Sequence, residues 1–241
     1  MNVDFSVVVP VCDEAENVEP LAREIAAAMT GRAYEMIFVD DGSADATAAI
    51  LGKLKTALPA LRVLRHSFRS GQSAAVASGV RAARAPWIAT LDGDGQNDPA
   101  DIPKLIAARD RADHRGVQLF MGDRSATRKD TPYRRLQSRI ANGVRGSLLG
   151  DGTPDTGCGI KLFSREAFME LPRFDHMHRF LPALFQRHGA RVISVSVSHR
   201  PRLRGTSKYG MFNRLWVGIV DIVGVMWLRR RYKSGLLVRE D

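Results

Sequence analysis

From Phe5 to Arg124 the chain alternates short apolar runs with longer stretches in which apolar residues return every three or four positions. The runs "FSVVVPV", "YEMIFVDD", "LRVLRH", "PWIATLDGD" and "VQLFMGDR" are bounded by turn residues and read as strands. Between them, Ala15 to Met29, Ser43 to Leu58, Gly71 to Ala83 and Pro99 to Ala112 carry helical spacing. This alternation predicts an α/β domain with a mostly parallel sheet covered by helices on both faces. A further alternating strand, "RVISVSVSH", comes later. The small residues of "SGQSAAVASG" lack a P-loop lysine and predict a helix that packs closely on the sheet.

In such a sheet, ligands bind beyond the carboxyl ends of the strands. Carboxylates gather at those ends: Asp13 and Glu14 follow the first strand, Asp40 and Asp41 the second, Asp92 and Asp94 the fourth, and Asp123 with Arg124 the fifth. Like charges on one rim repel unless cations or hydrogen-bond donors lie among them, so the rim is the expected ligand site. In an extended segment Asp92 and Asp94 point the same way, and Gly93 permits close backbone approach. Their hard oxygens suit Mg²⁺ or Mn²⁺, which take further ligands from water and phosphate.

Charge adds a partner class. Against 26 Asp and Glu stand 36 Lys and Arg, a formal +10, which points to an anionic partner. The basic residues gather between Arg124 and Arg145, between Arg200 and Lys208, and from Arg229 to Lys233. Nucleic acid is not the expected partner, because the rim carboxylates would repel a phosphate backbone. Two cysteines, Cys12 and Cys158, exclude a disulfide framework and read as small core residues in a reducing compartment. The start "MNVDFSVVVP" reads as a strand rather than a secretion signal. "HMH" at 176–178 lacks a third metal ligand nearby and reads as a polar loop or helix start. Arg128, Arg135 and Arg145 read as the solvated face of a helix beginning near Pro132.

Taken in order, "VVVPVCDEAENV", "IFVDDGSADATAAIL", "SGQSAAVASGV", "WIATLDGDGQNDPADIPKL", "MGDR", "DTGCGIKLFSREAF" and "RLRGTSKYG" resemble the family 2 glycosyltransferases. The branch is the one similar to dolichol-phosphate mannose synthase and bacterial polyprenyl-phosphate glycosyltransferases. The resemblance, over about residues 3 to 210, implies a glycosyltransferase A fold with a catalytic domain over 1–210. It also implies inverting transfer from a UDP- or GDP-linked sugar to a polyprenyl or dolichyl phosphate. Asp92 and Asp94, with Gln96, would hold Mg²⁺ or Mn²⁺ and the donor diphosphate, and Asp92, Asp94 and Arg124 would form the catalytic set. Pro10, Glu14, Asp40 and Asp41 would meet the nucleoside; Arg124, Arg134 and Ser138 would hold phosphates; Arg202, Arg204 and Lys208 would meet the acceptor phosphate. One departure is visible: where many relatives read P-x-Y-N-E, Pro10 is followed by Cys12, Asp13 and Glu14, so an aromatic near the base is lost. The resemblance is compatible with hexose, uronic acid and amino-sugar donors alike.

Elementary chemistry agrees with that implication. Departure of a nucleoside diphosphate builds charge on a phosphate oxygen, which a divalent ion stabilises and which Arg124 and Arg134 can meet with planar donors. A lipid phosphate, with a second pKa of about 6, is already nucleophilic at neutral pH and needs positioning rather than a base. The alternative, a soluble family 2 enzyme acting on a saccharide or other hydroxyl, needs a carboxylate base where "RLRGTSKYG" offers cations.

The segment 211–241 is expected to be an interfacial amphipathic helix with a basic tail. Its apolar run from Leu215 to Leu228 is interrupted by Asp221 and falls short of the ~20 residues that span a bilayer. Arg214, Gly218, Asp221 and Gly224 form a narrow polar stripe opposite Trp216 and Trp227, and Arg229 to Arg231 follow. This pattern suits an anionic membrane surface at the cytoplasmic face of the inner membrane, with a core or partner-binding helix as the alternative. Because many relatives continue into two membrane-spanning helices, a separate membrane subunit is a further candidate partner.

Overall fold

The computed structural model describes residues 3–112, 117–125, 143, 145–200 and 211–231. Its strands are β1 (Phe5–Val11), β2 (Tyr34–Asp40), β3 (Leu61–Arg65), β4 (Trp87–Thr90), β5 (Val117–Asp123), β6 (Lys161–Ser164) and β7 (Arg191–Ser196). Its helices are α1 (Val18–Ala28), α2 (Thr47–Ala57), α3 (Gln72–Ala82), α4 (Ile102–Arg111), α5 (Arg165–Met169), α6 (Leu181–Arg187) and α7 (Met211–Arg231). The strands form one sheet in the order β3-β2-β1-β4-β6-β5-β7, parallel except for β6, which runs antiparallel to both neighbours. The four-residue β6 was not among the expected strands, and by entering between β4 and β5 it separates two strands that are consecutive in sequence.

The period of two explains the two-sided core. On β1 and β2, Val7, Val9, Met36 and Phe38 join one apolar cluster with α1, α2 and α4, whereas Val8, Ile37 and Val39 join the opposite cluster with α3 and α6. A Cβ on Gly79 would overlap the Val8 side chain, so the small residues of α3 do let it lie close on β1. Helices start later than their apolar spacing suggests because polar side chains turn the chain first. Glu14 accepts a hydrogen bond from Asn17 Nδ2 at 2.6 Å before α1, Asp45 accepts from the Thr47 N–H at 2.9 Å before α2, and Asp98 caps the 3-10 turn Pro99–Asp101 before α4.

Arg145 departs from its expected solvated role. It is buried and ion-paired with Asp151 at 2.5 Å, and Asp151 itself is 3% exposed. Arg128, Arg135 and the helix expected from Pro132 lie outside the described residues, as do Arg134, Ser138, Arg202, Arg204 and Lys208. Cys158 is buried as expected, while Cys12 is half-buried beside Asp13.

Helix α7 docks on the α3/α6 side through Val225, Ile222 and Met226. Ile219, Val220, Val223 and Trp227 stay exposed. The expected polar stripe is corrected in one respect: Asp221 is turned toward the domain, 3.2 Å from His176 Nδ1, because a carboxylate on the docking side needs a partner there. Among the described residues no helix is long and apolar enough to cross a membrane.

Candidate active site

The parallel strands β1, β2 and β4 end on one rim, and their terminal acids shape it. Asp13 has a left-handed backbone (φ 50°), stabilised by its N–H donating to Ser43 Oγ at 2.9 Å and its carboxylate accepting from the Ala44 N–H at 2.8 Å. The N–H of Glu14 donates to Thr47 Oγ1. Asp40, fully buried, accepts from the Ser43 N–H at 2.9 Å and lies 3.2 Å from Arg65 Nε. Asp41 accepts from the N–H groups of Ser70 and Gly71, each at 2.8 Å, and lies 2.7 Å from His66 Nδ1. Pro10, Glu14, Asp40 and Asp41 thus stand on the same rim, and the last two direct their carboxylates into the loops that frame it.

The segment after β4 crosses the end of β1 at close range. A Cβ on Gly93 would stand 2.6 Å from Val11 Cγ1 and 2.8 Å from the Pro10 carbonyl, which only glycine avoids. Pro10 lies past the last β1–β4 pair, Val8 with Thr90, so its missing N–H leaves no gap in that ladder. Asp92 donates its N–H to Asn97 Oδ1 and accepts from Gln72 Nε2 at 2.8 Å, while Asp94 accepts from the Gln96 N–H at 3.1 Å. Burial and the neighbouring Asp94 charge push the Asp92 carboxyl up, against the pull of Lys161 and Arg124.

The chain from 150 to 159 closes the other side. Asp155 takes Arg124 Nε at 2.7 Å and a second guanidinium nitrogen at 3.0 Å, a bidentate pair buried on both sides. Burial works against the Arg124 charge, but the Asp155 bonds outweigh it and raise the pKa. Further on, Gly159 runs so near Asp92 that a Cβ there would overlap its carboxylate. Lys161, 5% exposed, donates to the Cys158 carbonyl, and burial lowers its pKa.

A cleft of about 240 Å³ lies between these walls, lined among others by Pro10, Gln72, Asp92, Lys161, His178 and Arg179. The 3-10 turn Met177–Arg179 supplies the last two, so "HMH" is a polar turn as expected, but its second histidine enters the site. His178 Nδ1 sits 2.8 Å from Ser73 Oγ. Burial, with Lys161, Arg179 and His176 nearby, lowers its pKa to about 3, so the ring is neutral. Gln72, Asp155, Lys161 and Arg179 were not singled out from the sequence, and His178 was read only as part of a polar turn; the available signals were a lysine heading an apolar run and an aspartate in "DTGCG".

Where the described chain approaches the basic segment 201–210, Arg200 is clamped to Glu24 at 2.6 Å and Asp98 at 2.7 Å, and its N–H donates to the Gln96 carbonyl at 3.3 Å. Arg200 itself thus lies beside the Asp92–Asp94 loop.

The donor set fits a hard divalent cation: two carboxylates and an amide within five residues, with repulsion between the acids that burial sharpens. Among the described residues no cluster of three His, Cys, Asp or Glu side chains surrounds them, so remaining positions would fall to water and phosphate oxygens.

Comparison with known proteins gives the family and supports the fold. Dodecaprenyl-phosphate galacturonate synthase of Rhizobium johnstonii is 36% identical over 239 residues, 97% of this chain and 69% of that protein. Undecaprenyl-phosphate 4-deoxy-4-formamido-L-arabinose transferase of Edwardsiella ictaluri is 33% identical, over 86% of this chain and 63% of its own. The chain thus spans about two thirds of the length of these relatives. Glucosyl-3-phosphoglycerate synthase of Mycobacterium tuberculosis, solved with Mn²⁺, UDP and glucosyl-3-phosphoglycerate, superposes with a TM-score of 0.71 at 19% identity, covering 94% of this chain and 80% of that one. The same enzyme with Mg²⁺ and UDP gives 0.69. These solved structures share the glycosyltransferase A architecture. Residues 6–172 match the family described as glycosyl transferase family 2, and the chain belongs to that family.

Proposed function

We propose that this chain moves a sugar from a nucleoside diphosphate donor to the phosphate of a polyprenyl lipid. The observation that carries the reading is the identity with dodecaprenyl-phosphate galacturonate synthase, which runs through 97% of the chain. Pro10, Glu14, Asp40 and Asp41 are assigned to the nucleoside end of the donor. Asp92, Asp94 and Gln96 would hold Mg²⁺ or Mn²⁺, which when bound would offset the charge developing on the departing diphosphate. Arg124, kept charged and rigid by Asp155, adds fixed positive potential beside Asp92. Arg134 and Ser138 are assigned to phosphates, and Arg202, Arg204 and Lys208 to the acceptor phosphate; the anchoring of Arg200 at the Gln96 carbonyl supports that placement.

A phosphate acceptor also suits the cleft's chemistry. His178, with a pKa of about 3, is too weak a base to take a hydroxyl proton near neutral pH. A phosphate monoester, half ionised to its dianion at a pH of about 6, needs no such base. The exposed apolar face of α7 supports peripheral attachment to an anionic membrane surface, on the cytoplasmic face where nucleotide-sugars are at hand, with a membrane subunit as a second possible contact. The test is a panel of UDP- and GDP-sugars incubated with short polyprenyl phosphates and Mg²⁺ or Mn²⁺, with the lipid product read by mass spectrometry. Sugar-phosphoryl-lipid from at least one donor is expected. Transfer to free saccharide hydroxyls with the lipid phosphate ignored would overturn the reading.

A further inference from the structure

Arg179 stands half-buried in the wall of the cleft that contains Asp92, and the transfer reading assigns it no role. Other arginines around the site are neutralised: Arg124 by Asp155, Arg145 by Asp151, and Arg200 by Glu24 and Asp98. The acids nearest Arg179 in sequence and in the docked helix, Asp175 and Asp221, both turn to His176 instead. Among the described residues the Arg179 guanidinium has no hydrogen-bond or ion-pair partner. Lys161 lines the same cleft, gives its ammonium to a backbone carbonyl, and likewise makes no ion pair among the described residues. His178 lies between them, held by Ser73. One corner of the cleft thus carries a guanidinium without an ion pair among the described residues, beside a buried lysine whose charge acts on Asp92. A half-desolvated guanidinium of this kind is stabilised by an oxyanion that it can meet with two parallel donors.

We propose that Arg179 binds an oxyanion carried by the substrate at its reacting end. The inference rests on the transfer reading and names a group that reading leaves open. Two substrate groups have the required chemistry: the carboxylate of a uronic acid donor, and the phosphate of the lipid acceptor. Both would be drawn into the cleft by Arg179, with Lys161 adding positive potential behind it.

The experiment compares the wild-type chain with Arg179→Gln and Arg179→Lys, each first checked for an unchanged melting temperature. UDP-galacturonate and UDP-glucose are titrated by calorimetry in the presence of Mn²⁺, and transfer is followed against polyprenyl phosphate concentration. A fall of about 10-fold or more in affinity for UDP-galacturonate, with UDP-glucose within about 2-fold, assigns Arg179 to the sugar carboxylate. A similar rise in the KM for polyprenyl phosphate with every donor assigns it to the acceptor. In either case Arg179→Lys retains part of the effect, since it keeps the charge and loses the planar fork. Constants that all stay within about 2-fold overturn the proposal. If the wild type forms no lipid product from any donor, the transfer reading fails separately, and the calorimetric comparison still decides whether Arg179 reads a sugar carboxylate.

Discussion

Gly159 has no side chain because the Asp92 carboxylate occupies the space a Cβ would need. In Gly159→Ala both the Asp92 carboxylate and the buried Asn97 amide must move, so stability should fall by about 1–3 kcal/mol, while transfer should fall by roughly 10- to 100-fold through misplaced geometry. A melting curve beside a rate measurement checks this, and an undiminished rate would show that the position of Asp92 does not matter. Asp92→Asn and Asp94→Asn keep the shape and remove a charge from the donor set, so activity should drop by about two to three orders of magnitude with the melting temperature nearly constant. Chelator-resistant activity in both variants would dismiss the metal assignment. Glu35, at the opposite end of the sheet, is a contrasting buried acid. Burial alone would push its carboxyl up, but the Arg84 N–H, the Ser6 hydroxyl and Arg62 together hold it below the ordinary value. The stability it contributes is therefore complete above its unfolded pKa of about 4.3 and is lost as pH falls through the lower folded value. Glu35→Gln should flatten the acid limb of a stability-against-pH curve measured by denaturant midpoints, and an unchanged limb would assign that limb to other carboxylates.

The segment leading from the helical residues 145–149 to β6 is fastened by two buried ion pairs, Arg145–Asp151 and Arg124–Asp155. Removing one partner leaves an uncompensated buried charge, so Asp155→Ala should lower unfolding stability by about 3–5 kcal/mol. A denaturant midpoint within error of wild type would mean that Arg124 finds water or another acid. Neither pair was legible in the sequence, although all four residues are visible there, because only burial decides whether an arginine is a solvated face or a structural ion. The strands and helices up to Arg124 were legible because alternation and helical spacing are local signals. The strand β6 was not: it is four residues long, begins with a buried lysine, and owes its place to pairing with β4 and β5 rather than to its own pattern. The rim acids were legible as a group but not in their orientation. Asp41 turns into the Ser70–Gly71 backbone, some thirty residues away, and His178 finds Ser73 across 105 positions. No spacing rule encodes such partners.

Across the whole molecule, the two apolar clusters consume nearly all of the large apolar side chains of the sheet and its covering helices, while α7 retains a surplus. Val225 on this helix is 1% exposed against the domain, yet Val223, two positions earlier, is 62% exposed, and Trp227 is 58% exposed. Ile219 and Val220 extend the same uncovered face, and Arg229, Arg230 and Arg231 follow at its end. An apolar stripe next to a cationic cluster matches a bilayer of anionic lipids in both its hydrocarbon boundary and its headgroup charge. The two contributions separate by salt, because apolar burial is not screened whereas charges interact over about 10 Å at 0.1 M ionic strength. The chain should therefore sediment with phosphatidylglycerol-containing vesicles at low salt. Val223→Ser combined with Trp227→Ser should reduce the bound fraction at every salt concentration, and Arg229, Arg230 and Arg231 replaced by Gln should reduce it most at low salt. Since the replaced apolar residues face away from the domain, the melting temperature should hold, which separates loss of lipid contact from loss of fold. Wild-type chain that stays in the supernatant at low salt would assign the exposed face of α7 to a protein partner instead.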